Sequence, residues 1–350
     1  LRQELQEGNR SIFSRKLQEL MTDRLNKGQQ TILFLNRRGY AGFVSCRSCG
    51  EVMKCPHCDV SLSEHKGGRL ICHYCGYTQP MPKLCPKCGS KYILGFKAGT
   101  QQIEEKLKEL YPGVRTLRMD ADTTRTKDSY EKILSSFANG EADVLIGTQM
   151  IVKGHDFPKV TLVGILAADL SLNASDYRAG ERTFQLLTQA VGRAGRGVLP
   201  AEAVIQTYQP DHYAITCAAA QDYESFYQEE ILYRELSGYP PVAHMLAVQI
   251  YGKEEENAKQ LALRLTDVVK SNMDFLSGKQ KEQSNKKIQV LGPAPANISK
   301  INDIYRYVFY VKHAEYDVLV EVKDRLEETL RQWQPRQMSI QFDFDPVSVL

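Results

Sequence analysis

The sequence predicts an α/β protein: a doubly wound parallel sheet, a cysteine-rich metal-binding insert and a second, smaller α+β domain. Three observations predict it. Short, wholly apolar runs such as Thr31-Ile-Leu-Phe-Leu35 alternate with amphipathic helical stretches, and such runs between helices indicate a parallel sheet covered on both faces. Eight of the nine cysteines lie between Cys46 and Cys88 as four Cys-x-x-Cys pairs. Beyond Pro240-Pro241 the runs change to strand, helix, strand, strand, helix, strand, the β-α-β-β-α-β order of a ferredoxin-like domain.

In chain order, Ser11 reads as the cap of a first helix striped by Ile12, Phe13, Leu17, Leu20 and Leu25 and closed at Lys27-Gly28. Thr31–Leu35 is the first strand, and the cysteine insert follows it. Thr100 opens a helix with Ile103, Leu107 and Leu110. A strand over Val114–Met119 and a helix over Thr124–Asn139 come next, then strands over Ala142–Gly147 and Val160–Ala167. Asp176–Val191 is expected as a helix, Ala203–Tyr208 as a strand and Asp211–Ser237 as one long helix stopped by Gly238 and Pro240. The second domain is read as Ala243–Tyr251, Glu254–Phe275, Ile288–Leu291, Tyr305–Val311, Glu315–Arg331 and Met338–Phe344. Before its second strand, Lys279, Lys281, Lys286 and Lys287 against Glu282 make a basic loop. The expected domains are residues 1–45 with 97–238, the insert 46–96, and residues 239–350.

Two Cys-x-x-Cys pairs close one tetrahedral four-thiolate zinc site. Cys46, Cys49, Cys55, Cys58, Cys72, Cys75, Cys85 and Cys88 therefore imply two zinc ions, both structural because no coordination position is left for water. Gly67-Gly68 ahead of Arg69-Leu-Ile71 is a hairpin signal between the second and third pairs. A zinc ribbon joins its knuckles this way, which favours Cys55/Cys58 with Cys72/Cys75 and Cys46/Cys49 with Cys85/Cys88. Strictly sequential pairing is the alternative. A disulfide framework is disfavoured, because nothing else in the sequence points to secretion. No apolar run approaches the roughly 18 residues of a membrane span. The net charge of only +3 requires any nucleic-acid binding to come from local patches. Leu1 is not a natural start, so the chain reads as a fragment.

Two motifs carry chemistry. Gly147-Thr148-Gln149-Met-Ile-Val-Lys153-Gly154-His155-Asp156-Phe157-Pro158 begins where a buried strand ends, and open α/β sheets bind ligands outside the carboxyl ends of their strands. In Gln189-Ala-Val-Gly192-Arg193-Ala-Gly195-Arg196, two arginines three residues apart can reach a polyphosphate, and the glycines let the backbone approach it. Alone, that second motif is more often a solvated basic turn; together in one α/β frame the two point to phosphate.

At this spacing the motifs resemble motifs V and VI of superfamily-2 helicases. More closely, the chain resembles the PriA family (primosomal protein N′) of bacterial replication-restart helicases. The resemblance rests on Phe34-Leu-Asn-Arg-Arg-Gly-Tyr40, the four cysteine pairs, Asp169-Leu-Ser-Leu172, Asp176-Tyr-Arg-Ala-Gly-Glu-Arg182 and Gly292-Pro-Ala-Pro295, besides both motifs. It implies a second RecA-like helicase lobe with an inserted double zinc-ribbon module, followed by a ferredoxin-like domain that binds DNA and partners, and it implies the outer–outer and inner–inner knuckle pairing. The activity implied is that of an ATP-dependent 3′–5′ DNA helicase that recognises stalled or branched forks and initiates primosome assembly.

By the same resemblance, Arg193 and Arg196 are arginine fingers with Gln189 beside them. Thr148, Gly154 and Asp156 touch nucleotide and DNA backbone, although Thr148 is equally suited to capping the strand end. Asp169, Asp176, Arg178 and Glu181 would couple the lobes. The implied partners are forked and single-stranded DNA, the single-stranded-DNA-binding protein, primosome proteins and the replicative helicase loader. The protein would be a monomer in the bacterial cytoplasm, with no membrane attachment. One departure matters: the chain has no Gly-x-x-x-x-Gly-Lys-Ser/Thr loop and no Asp-Glu pair, which ATP and Mg²⁺ binding need. ATP and Mg²⁺ would therefore be completed by a first lobe missing here, leaving a carboxy-terminal half that is inactive alone. The alternative is a stand-alone zinc-dependent module, binding nucleic acid or protein, with a non-catalytic helicase lobe.

Overall fold

A computed structural model describes residues 1–9, 11–35, 44–46, 48–57, 60–65, 68–72, 75–95, 99–120, 123–124, 127–148, 151, 157–174, 176–194, 199–271 and 287–347. The elements begin with α1 (Arg2–Gln6), α2 (Arg15–Asn26), β1 (Gln30–Leu35) and β2 (Val44–Cys46). Then come β3 (Ser63–His65), β4 (Arg69–Ile71), β5 (Thr78–Pro80), β6 (Ile93–Gly95), α3 (Thr100–Leu110) and β7 (Thr116–Met119). They continue as α4 (Lys127–Ala138), β8 (Val144–Gly147), β9 (Val160–Leu166), α5 (Asp169–Leu172), α6 (Ala179–Val191) and β10 (Glu202–Ile205). The last are α7 (Tyr213–Ala220), α8 (Tyr223–Ser237), β11 (His244–Gly252), α9 (Glu255–Ser271), β12 (Gln289–Ile301), β13 (Ile304–His313), α10 (Tyr316–Trp333) and β14 (Met338–Phe344). Contacts group these into two compact units: Leu1–Val52 with Pro82–Ala174 and Arg178–Tyr227, and Met53–Met81 with Ser175–Tyr177 and Gln228–Leu350.

The first unit is built on a parallel sheet of order β10-β9-β1-β8-β7. Alternation along its strands sends side chains to both faces, and both are apolar. Ile32, Phe34, Leu145, Val163 and Ile165 pack with Phe137 of α4, Phe184 and Leu187 of α6 and Phe226 of α8. Leu33, Leu35, Val144, Ile146 and Leu162 pack on the other face with Leu17 and Met21 of α2 and Ile103 and Leu107 of α3. This is the doubly wound arrangement the sequence predicts.

The second unit holds an antiparallel sheet of order β12-β13-β11-β14. With α9 and α10 on one face, its connectivity is ferredoxin-like. Leu246, Val248, Ile250, Phe309 and Val311 form the core with Leu261, Leu265, Leu319 and Leu326 of the helices. The same unit contains the small sheet β3-β4-β5.

The helices α1 and α5 are additions to the sequence expectation, α6 begins at Ala179 and not Asp176, and β10 spans Glu202–Ile205 where Ala203–Tyr208 is expected. The helix expected over residues 211–237 is two helices, because Gln221 adopts a left-handed φ of 54°. Asp222 then caps α8, accepting from the Ser225 N–H at 3.0 Å and the Ser225 hydroxyl at 2.6 Å. Ser14 caps α2 in place of Ser11, its side chain accepting from the Leu17 N–H at 3.3 Å. β12 runs on to Ile301 through register shifts at Leu291/Ala294 and Pro295/Lys300. It is an edge strand, where the missing proline N–H groups cost no ladder bond. Among the described residues no helix is long and apolar enough to cross a membrane.

Candidate functional site

The cysteine pairs become two compact sulfur sets. Cys46, Cys49, Cys85 and Cys88 converge with all four Sγ atoms within 4.8 Å of one another, and Cys55, Cys72 and Cys75 form a second set. Cys58 lies outside the described residues. The Sγ separations are 3.6 Å for Cys46–Cys88, Cys49–Cys85 and Cys55–Cys75. A tetrahedron with zinc–sulfur bonds of about 2.3 Å has edges of about 3.8 Å, whereas a disulfide needs about 2.05 Å. The sets thus fit a tetrahedral metal and are too wide for disulfides. Outer joins outer and inner joins inner, so sequential pairing is excluded for the described cysteines.

The local backbone explains the convergence. In the first pair the Gly50 N–H donates to the Cys46 carbonyl at 2.8 Å, and the Cys46 N–H donates to the Glu51 carbonyl at 2.7 Å. The third and fourth pairs repeat this turn with Gly76 to Cys72 and Gly89 to Cys85, both 2.9 Å. Gly50, Gly76 and Gly89 have φ of 77°, 77° and 70°, a conformation that favours glycine. The glycine directly after three of the four pairs is a sequence signal that reading the cysteines alone overlooks. Burial pushes the Cys46 thiol up, but the N–H groups of Cys49 and Ser48 draw it down to about 7. Burial and the neighbouring sulfurs push Cys49 to about 12. Neighbouring sulfurs oppose one another's ionisation, so binding a cation to all four displaces thiol protons.

Gly147 and Thr148 sit at the carboxyl edge of the parallel sheet. Gly147 ends β8, and a Cβ there would stand 2.7 Å from the Met119 carbonyl, so only glycine lets the strand end pass this close. Thr148 follows, half-buried, its N–H 3.3 Å from the same carbonyl. Gly154, Asp156 and Arg196 lie outside the described residues, as do Asn36–Tyr40. Gln189 is exposed on α6 and Arg193 is half-buried just past its end. Arg193 stands in the turn past the helix, where its N–H closes onto the Ala190 carbonyl at 3.1 Å.

The residues expected to couple lobes have local partners. Arg178 donates to both Glu181 oxygens at 3.0 and 2.9 Å. Asp169 is 4% exposed and accepts from the Thr207 hydroxyl at 3.0 Å and from the Tyr208 N–H. Burial pushes its carboxyl up against those two donors, so it pins the turn after β10. Asp176 is buried in the second unit. Asp120, which sequence reading passed over, organises the end of β7. It accepts from the Thr100 hydroxyl at 2.6 Å and the Thr123 N–H at 3.0 Å, and pairs with Arg118 at 3.0 Å.

Three family models match stretches of the chain. The helicase conserved C-terminal domain matches residues 84–198. The PriA DNA helicase Cys-rich region (CRR) domain matches residues 55–80, and the primosomal protein N C-terminal domain matches residues 235–347. The replication restart protein PriA of Bacillus subtilis (strain 168) is 44% identical over 352 residues, covering 100% of this chain and 42% of that protein. Its counterpart in Synechocystis sp. is 41% identical over 354 residues, covering 100% and 41%. That of Haemophilus influenzae is 35% identical over 327 residues, covering 93% and 42%. The chain spans less than half the length of these curated relatives. A doubly wound lobe matching the helicase carboxy-terminal domain, with a cysteine-rich zinc ribbon, defines a helicase-lobe protein. The chain belongs to the PriA family of replication restart proteins.

Proposed function

We propose that the chain is the carboxy-terminal part of an ATP-dependent 3′–5′ DNA helicase that recognises stalled or branched replication forks and initiates primosome assembly in the bacterial cytoplasm. The observation that carries this reading is the 44% identity to the Bacillus subtilis protein along the whole chain. The geometry agrees with it: β8 ends at Gly147, on the sheet edge where open α/β folds take ligands.

In this reading Cys46, Cys49, Cys85 and Cys88 hold one structural zinc, and Cys55, Cys58, Cys72 and Cys75 a second. Arg193, Arg196 and Gln189 face the phosphates of ATP, whose magnesium and remaining contacts a first lobe supplies. Thr148, Gly154 and Asp156 line the nucleotide and DNA backbone. The domains are residues 1–45 with 97–238, 46–96 and 239–350. The partners are forked and single-stranded DNA, the single-stranded-DNA-binding protein, primosome proteins and the helicase loader, engaged by a monomer. The test is binding of the zinc-loaded chain to forked, single-stranded and blunt duplex DNA at several salt concentrations. A preference for the fork that persists as salt weakens all three is expected. Equal affinity for all three, or no binding, counts against a fork-recognising role.

A further inference from the structure

The ferredoxin-like sheet has its helices on one face only, and its other face falls into two halves. At one end Met245, Ala247, Val308 and Tyr310 are buried. There the ribbon turn at Gly76, in the same unit, lies against β12, where a Cβ on the glycine would stand 3.3 Å from the Pro293 carbonyl and 3.6 Å from Ala294. At the other end Gln249, Tyr251 and Arg306 are half-buried and Gln341 is exposed.

Tyr251 and Arg306 are register partners on the two central strands, β11 and β13. The guanidinium carbon lies 5.6 Å from the tyrosine ring centroid. Gln249 and Gln341 are partners in the adjacent ladder, and the Tyr251 hydroxyl donates to Gln341 Oε1 at 3.1 Å. Lys253 follows Gly252, which pairs with Tyr305 and Met338 in the last row of the sheet, and Arg336 precedes that row. Lys300 pairs with Tyr305 there and covers its ring at 4.8 Å, in a row that alternation turns to the helix-covered face. Asp343, partner of Ala247, is the acid of β14 on this face, and Glu254 follows Lys253 in the chain.

We infer that this half-face binds single-stranded DNA, with a base stacked on the Tyr251–Arg306 layer and Gln249 and Gln341 reading its edge. The inference rests on the DNA-acting reading above. A ring and a planar cation at adjacent positions of two central strands offer a flat surface to a base. Amide side chains beside it can donate to and accept from a base edge. Lys253 and Arg336 complement the flanking phosphates. A duplex keeps its base faces stacked inside the helix, so the layer selects an unpaired strand.

The test uses the full zinc-loaded chain and oligothymidylate carrying 5-bromouracil. Irradiation is expected to attach the strand to the peptide containing Tyr251. Tyr251→Ala should weaken binding about tenfold, the loss of one stacked base. Tyr251→Trp, which keeps an aromatic face, should bind like the parent. Parent-like affinity in Tyr251→Ala, equal loss in Tyr251→Trp, or attachment confined to residues 1–52 and 82–227 would overturn this site while leaving the DNA-acting reading intact. Failure of the parent chain to bind any DNA would overturn both.

Discussion

Cys72→Ala is expected to lower the zinc content from two equivalents to one and to unfold the inner ribbon while the parallel sheet stays folded. The reason is the size of the ribbon's own core. Among the described residues of 53–81 the buried apolar side chains outside the cysteines are Met53, Val60, Leu62 and Leu70, too few to offset the ordering of the segment. Metal binding supplies the difference, since structural zinc in such small modules contributes roughly 10–16 kcal/mol. Cys72 is fully buried and its N–H and carbonyl both serve the turn through Tyr77 and Gly76, so its loss removes a ligand and loosens the knuckle. Amide hydrogen exchange should accelerate over 60–72 and stay slow over β1 and β9. Cys85→Ala should do the reverse, sparing the inner set. Because the sets are independent, one substitution that releases both ions would show that the pairing is wrong. A chelator should reproduce the unfolding where a thiol reductant does not, as sulfurs 3.6 Å apart are not bonded to each other.

The second large effect concerns the end of α6. In a chimera that joins the part of the Bacillus subtilis relative outside the aligned region to this chain, Arg193→Ala should cut DNA-stimulated ATP hydrolysis by about 10³–10⁵-fold. Forked-DNA binding should be retained. Arg193 stands just past α6, and Gly192 before it closes the helix with its N–H on the Thr188 carbonyl at 3.0 Å. The helix end thus fixes where the guanidinium starts. Arg193→Lys should fail nearly as badly, since an ammonium cannot reproduce a planar two-pronged contact with phosphate. Near-normal turnover in either variant would remove Arg193 from the phosphate-facing role.

Much of this was legible in the sequence for physical reasons. β1 and β9 are buried along their whole length, so their composition announces them without alternation. The knuckle pairing was legible through the hairpin signal at Gly67-Gly68, because β3 and β4 join the inner pairs. What escaped depends on a single backbone angle or on tertiary partners. The break between α7 and α8 rests on a left-handed glutamine, a residue that carries no turn signature. β12 continues through two prolines because it is an edge strand, and edge position is a property of the sheet, not of the segment. The role of Asp169 as a buried turn anchor depends on Thr207 and Tyr208, some forty residues away. Of the residues proposed to meet nucleotide, the structure describes Thr148, Gln189 and Arg193, while Gly154, Asp156 and Arg196 stand on sequence alone.

The most direct measurement is ATP hydrolysis by the same chimera, with and without forked DNA, beside the 350-residue chain alone. The chimera should turn over ATP in a DNA-dependent manner, and the isolated chain should not, because it has no phosphate loop or acidic metal pair. A chimera that folds, holds two zinc ions and binds forks yet hydrolyses no more ATP than the isolated chain would contradict the assignment of this chain to a working helicase.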